Sequence, residues 1–234
     1  RDTREKILDA AASLFAAADS RGASLRAIAR RAGVNPALVH YHFGSREALL
    51  ESIILRALSP IQARRQALIR ALRSRSASLA PHDLARLFVE PLLADPSHPT
   101  DRETTDLRLL TRVFTDDRSL AQELTLEHFG DVMRELGALL GEALPGIPVA
   151  TRQRRMRFCV QAALETLSGH ETRASAEGGP AARTSVVADL LDFIAGGLSA
   201  PAPAAAPGLS RSNPQAARPS AGDLARPTSD PISP

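Results

Sequence analysis

Residues 24 to 49 constrain this chain more than any other stretch, because they carry start and stop signals for two short helices in succession. Ser24 is an N-cap whose hydroxyl accepts from an otherwise orphaned backbone N–H. Over 24 to 31, Leu25, Ile28 and Ala29 share one face while Arg26, Arg30 and Arg31 turn away, giving a buried side and a cationic side. Gly33 ends that helix, since glycine takes the left-handed conformation without a Cβ clash. Asn35 then caps a second helix with Pro36 at its first position, where a missing N–H costs nothing. Val34, Leu38 and Val39 are expected to pack it down, leaving Asn35, Pro36, Ala37, His40 and Tyr41 outward. A short helix with small residues near its N-terminus suits the DNA major groove.

The run AGVNPALVHYHFGSREALL resembles the DNA-binding end of the TetR family of bacterial transcriptional regulators. The carriers are the Gly33–Val34 turn, the aromatic element Tyr41 to Phe43, and Ser45, Arg46, Glu47 and Leu49 at the start of a fourth helix. The resemblance implies that Pro36, Ala37, His40, Tyr41 and His42 contact bases and phosphates of a double-stranded operator, with Ser24 and Arg46 on further phosphates. Arg26 joins this outward set. His40 stands where the family usually has tyrosine, and Leu38 where a small or hydroxyl residue is common; both bear on base preference and docking depth.

The few aromatics, the lack of Trp and the Ala/Leu-rich patterning argue for an all-α fold: a three-helix DNA-binding head over 1–44, regulatory and dimerisation helices over 45–198, and a tail over 199–234. The net charge of +3 is unevenly spread: residues 1–56 carry nine Lys/Arg against six Asp/Glu, whereas 57–198 carry 17 against 18. The positive excess therefore lies with the head. It is far too small for a non-specific architectural DNA binder. One cysteine precludes an internal disulfide, the first twenty residues lack a signal-peptide apolar block, and no apolar run reaches the roughly 20 residues of a bilayer span, so a cytoplasmic protein without membrane contact is expected.

Taken in order, the first helix spans about 3–18, with a loop from Asp19 to Ala23. The fourth starts at Ser45, and Pro60 should kink or break it before helix resumes to about Ser74. Further helices are expected at 82–94 with Pro91 inside, 101–115, 117–143, 149–173 and 184–197, with a loop over 95–100 and a flexible connection over 174–183. Eight of the 36 residues of the tail are proline and few are large aliphatics, a composition that cannot offset its own ordering entropy, so it reads as disordered.

Phe88, Leu110, Phe114, Phe129 and Phe158 are candidates for core or for a pocket; the family resemblance favours a pocket for a small apolar, lipid-like inducer. The last two helices carry Met156, Ala163, Leu167, Val187, Leu190, Leu191 and Ile194. The wide apolar arc of the last helix, together with the resemblance, points to a homodimer interface of four helices. Arg152, Arg154, Arg155 and Arg157 read as a solvated face or a site for an acidic partner. His40 and His42 are two residues apart, the wrong spacing for a helical metal pair, and Cys159 reads as an inert buried thiol. No catalytic motif or cofactor is implied. A helical adaptor using the head for protein contact is the alternative, although the outward set suits phosphate and base contact better.

Overall fold

The computed structural model describes residues 2–17, 23–75, 78–93, 100–177 and 179–202, the backbone alone over 170–177, 179–180 and 182–183. All but Ala23 of the loop expected from Asp19 to Ala23, most of that over 95–100, and the tail beyond Ala202 lie outside these residues. Every regular element described is helical: α1 (Thr3–Ala17), α2 (Leu25–Ala32), α3 (Pro36–Phe43), α4 (Arg46–Arg73), α5 (Pro81–Val89), a 3-10 turn (Glu90–Leu92), α6 (Asp101–Asp116), α7 (Arg118–Ala143), α8 (Val149–Glu177) and α9 (Gly179–Ser199).

The buried face of α1 is made by Ile7, Leu8, Ala11 and Phe15, each 0 to 1% exposed. Burying side chains of this size stabilises the fold by about 1.5–3 kcal/mol for each large one. This face packs against α2, α4 and α6, so one helix joins α2 to the longer helices behind it. Arg56, on α4, adds a polar tie: its Nη1 donates to Asp9 at 2.9 Å and its Nη2 to the Leu8 carbonyl at 3.4 Å.

Pro60 does not interrupt α4, which runs unbroken through it for 28 residues. The ring removes one backbone donor, but Leu58 and Ile61 on either side are buried, and that packing outweighs the loss. The helix expected over 82–94 is shorter. It ends as α-helix at Val89 and tightens into the 3-10 turn, because Pro91 lacks the N–H that would continue the ladder. α7 bends at Phe129, whose φ of −132° and ψ of 22° are non-helical, next to Gly130. The flexible connection expected over 174–183 is instead helical up to Glu177 and again from Gly179, Gly178 being undescribed.

Arginines brace the body. Arg65 is buried, donating from Nε to the Leu87 carbonyl at 3.0 Å and from Nη1 to Gln62 at 2.6 Å. Burial lowers its pKa to about 10, which still leaves it protonated at neutral pH. Two members of the expected solvated arginine face are helix caps. Arg152 donates to the Leu144 and Ile147 carbonyls beyond α7, and Arg155 to those of Leu198, Ala200 and Pro201 at the end of α9. A guanidinium both satisfies orphan carbonyls and opposes the negative end of the helix dipole. Cys159 is buried and free, and desolvation pushes its thiol up to about 12, in line with an unreactive side chain.

Candidate nucleic-acid interface

The geometry of α2 and α3 is set almost wholly by local hydrogen bonds. Ser24 Oγ accepts from Ala27 N at 3.2 Å, and Asn35 Oδ1 from Ala37 N at 2.9 Å. Between them Gly33 takes φ 67°, ψ 36°, and the next residue, Val34, donates back to the Ala29 carbonyl at 3.0 Å. Gly44, at φ 71°, closes α3 by donating to the His40 carbonyl at 2.8 Å, and Ser45 Oγ caps α4 through Ala48 N at 3.0 Å. Both positive-φ positions among the described residues are therefore the glycines flanking α3.

Val39 and Phe43 are the buried anchors of α3, with Arg4 from α1 lying 5.3 Å over the Phe43 ring. Exposed on the other side are Pro36, Ala37, Leu38, His40 and Tyr41, the last 82% exposed. His42 is half-buried, its ring edge-on to Tyr41 at 5.3 Å. Leu38 is a correction: it is 39% exposed rather than packed down. Its position falls between Tyr41 and His42 around the helix, away from the Val39–Phe43 side, so apolar character alone misplaces it.

Ser24, Arg26, Arg30 and Asn35 are exposed around this surface. From Arg26 to Arg46 the chain has four arginines and no carboxylate, a signal legible in the sequence that marks the stretch as uniformly non-negative. Arg46, expected on a phosphate, is only half-exposed. Its Nε donates to the Ala23 carbonyl at 3.1 Å, and its guanidinium lies 5.0 Å over the Phe15 ring. It thereby fastens the start of α4 to the residue preceding the α2 cap. It also lines an open cleft with Phe15, Leu50, Leu109 and Val113, where α1 and α4 meet α6.

The five pocket candidates differ in burial. Phe88 and Leu110 are core, 1% exposed each, Phe114 and Phe129 are half-buried, and Phe158 is 66% exposed on α8. None of them lines the cleft beside Arg46 or the larger one along α4. The interface candidates divide too. Ala163, Leu167, Leu190 and Ile194 are 0 to 5% exposed within a single chain, whereas Met156, Val187 and Leu191 are half-buried. The cause is that α9 packs against both α5 and α8, which occupies most of its wide apolar arc. Among the described residues, Val149, Phe158 and Phe193, the last 70% exposed, are the large apolar groups left outside on these two helices. Among the described residues no cluster of three or more His, Cys, Asp or Glu could hold a metal, and no helix is long and apolar enough to cross a membrane.

Residues 7–53 match the family of bacterial regulatory proteins of the tetR type, and residues 86–197 match the tetracyclin repressor-like C-terminal domain. Over 53 residues, 23% of this chain and 27% of the relative, the sequence is 40% identical to the HTH-type transcriptional regulator UidR of Escherichia coli K12. Over 62 residues, 26% of this chain and 46% of the relative, it is 34% identical to the HTH-type regulator TtgW of Pseudomonas putida. The matches thus span less than half the length of these relatives. In fold the chain is similar to a TetR-family regulator from Shewanella, at TM-score 0.51 and 23% identity over 82% of this chain and 98% of that one. It is also similar to PfmR of Thermus thermophilus, at TM-score 0.51 and 20% identity over 88% and 100%. With both family segments matched, the reader helices capped as described and an all-helical body behind them, this chain belongs to the TetR family of transcriptional regulators.

Proposed function

We propose that the chain represses transcription by binding a palindromic double-stranded operator as a homodimer, and that a small apolar ligand releases it. One observation carries this reading: α3 presents Pro36, Ala37, Leu38, His40 and Tyr41 to solvent from a helix pinned at both ends, beside exposed Arg26 and Arg30. Side chains on a fixed helix in the major groove read base edges, and the flanking cations neutralise phosphate. Exposed Leu38 suits apolar contact with a thymine methyl group. Ser24 and Asn35 use one oxygen each in capping, which leaves the Ser24 hydroxyl proton and the Asn35 amide group for phosphate. Arg46 acts in this scheme as a fastener of the reader elements.

Homodimerisation is assigned to the outer sides of α8 and α9, through Phe158 and Phe193 with exposed Gly196 and Gly197 allowing close approach. Two heads at fixed separation then require two half-sites at matching spacing. Because α4 runs from the Ser45 cap into the body without interruption, a shift of its far end tilts the head, and a ligand preferring the shifted arrangement weakens operator binding by the same coupling factor.

The test is selection of genomic fragments by the purified full chain, followed by titration of the selected site at several salt concentrations. His40→Tyr is expected to change base preference, and Arg26→Met to weaken all sequences alike with a salt slope lower by about one. Failure to enrich any fragment overturns the reading.

A further inference from the structure

The outer faces of α8 and α9 carry the same spacing with opposite charge. On α8, Arg154, Arg157 and Phe158 stand at i, i+3 and i+4, and all three are exposed. On α9 the same places are taken by Asp189, Asp192 and Phe193, again all exposed. Residues so spaced share one side of a helix, so each aromatic has its charges beside it. The signs do not mix: no carboxylate occurs from Val149 to Leu164, and no Lys or Arg from Thr184 to Ser199. Arg152 and Arg155, the other cations at the start of α8, are engaged on carbonyls as helix caps. Arg154 gives one nitrogen to the Thr151 hydroxyl at 3.1 Å, and Asp192 Oδ1 meets His82 Nε2 at 2.7 Å. Each keeps further polar atoms for a partner.

Within one chain the two charged sets run in opposite order. Arg155 reaches the Leu198, Ala200 and Pro201 carbonyls, so the start of α8 lies beside the end of α9 and the helices are antiparallel. Asp192 and then Asp189 fall successively farther from Arg154 and Arg157 along the pair. A two-fold axis across the helices reverses a second copy, so that its α9 runs parallel to this α8. Aligning Phe158 with the partner's Phe193 then brings Arg157 beside the partner's Asp192 and Arg154 beside the partner's Asp189, and the symmetry repeats all three pairs. We infer that a second copy of this chain docks in this one register, with the two aromatic pairs at its centre and the crossed Arg–Asp pairs beside them, so that charge selects self over other helical partners. A slipped register or a copy with a different pattern sets like charges or unpaired ones against each other, which disfavours it. The inference rests on the proposed homodimer and adds to it the register and the choice of partner.

Sedimentation velocity on the full chain at about 0.05 M salt, where charges are weakly screened, tests it. Two double variants are compared with the parent: Arg154→Asp with Arg157→Asp, and Asp189→Arg with Asp192→Arg. All four positions are exposed, so the circular dichroism should not change. Each variant alone faces like charge across the axis and should self-associate at least about tenfold more weakly than the parent. Mixed in equal amounts, the two should form a one-to-one heterodimer, because every patch then meets its opposite. The chain with all four changes should dimerise again. That recovery also rules out misfolding, including any from loss of the His82–Asp192 contact. Either double variant dimerising as tightly as the parent, or no heterodimer from the mixture, overturns the register. A dimeric parent with indifferent variants strikes the register and leaves the homodimer standing, whereas a monomeric parent removes both.

Discussion

The reader helices and the body use arginine in opposite ways. In α2 the guanidinium groups of Arg26 and Arg30 stand in solvent, and the helix ends are closed by serine, asparagine and glycine within a few residues. In the body, Arg65, Arg152 and Arg155 turn inward or along the surface to close carbonyls that belong to other segments. Under the proposed reading, cationic residues are therefore available to nucleic acid only where local caps already satisfy the backbone. A cluster such as Arg152 to Arg157 carries the same charge and no such meaning, because two of its members are spent on helix ends.

The sharpest break of this comparison lies on one helix. Ile194 and Phe193 are neighbours on α9, 1% and 70% exposed. Ile194→Glu places an unpaired charge in the core, at a cost of about 3–5 kcal/mol, and thermal unfolding should show loss of the cooperative transition. Phe193→Glu should leave that transition nearly unmoved and yield a monomer by light scattering with weakened operator affinity. A stable native dimer in the Phe193 variant would return the assembly surface to other residues.

Arg65→Met and Arg26→Met separate the two uses of arginine directly. The first leaves the Leu87 carbonyl and Gln62 without their donor in a buried setting, so about 2 kcal/mol of stability should be lost in a denaturant titration. The second removes an exposed charge and should change stability by less than about 0.5 kcal/mol while lowering affinity for every DNA sequence. Equal stability losses in the two would erase the distinction.

What could be read from the sequence follows the same line. Ser24, Gly33, Asn35, Pro36 and Gly44 act on partners at most five residues away, so their residue types suffice to place α2 and α3. Leu38 was misjudged because on a helix of eight residues the apolar pattern does not fix the facing without a third element to pack on. The dimer set is under-determined for a related reason: an apolar arc reveals how much of α9 is buried, not whether α5 or a second chain buries it. Arg46 on Phe15, Arg56 on Asp9 and the bend at Phe129 depend on residues far apart or on packing, and leave no local trace. Gly33→Ala probes the legible part. Nothing lies within 4 Å of an added Cβ, so the cost is the left-handed backbone alone, about 1–2 kcal/mol, with the body unaffected by hydrogen exchange.

The smallest effect concerns Asp106, where α6 meets the Arg56 tie between body and head. Burial raises its carboxyl above the ordinary range, so the folded state holds the proton more tightly than the unfolded chain. Stability contributed by this group therefore falls as pH rises from the ordinary carboxylate value through the raised one, and the ionised form is disfavoured above both. Asp106→Asn removes that ionisation while keeping the shape. Its unfolding midpoint should lie above that of the parent at pH 7, and the advantage should disappear in acid below the ordinary carboxylate range, where both chains are neutral at this position. A variant less stable than its parent at pH 7 would mean that attraction to Arg56 and Arg102 outweighs burial, and that α6 is fastened to α4 by charge rather than by the apolar contacts of Leu107 and Leu110.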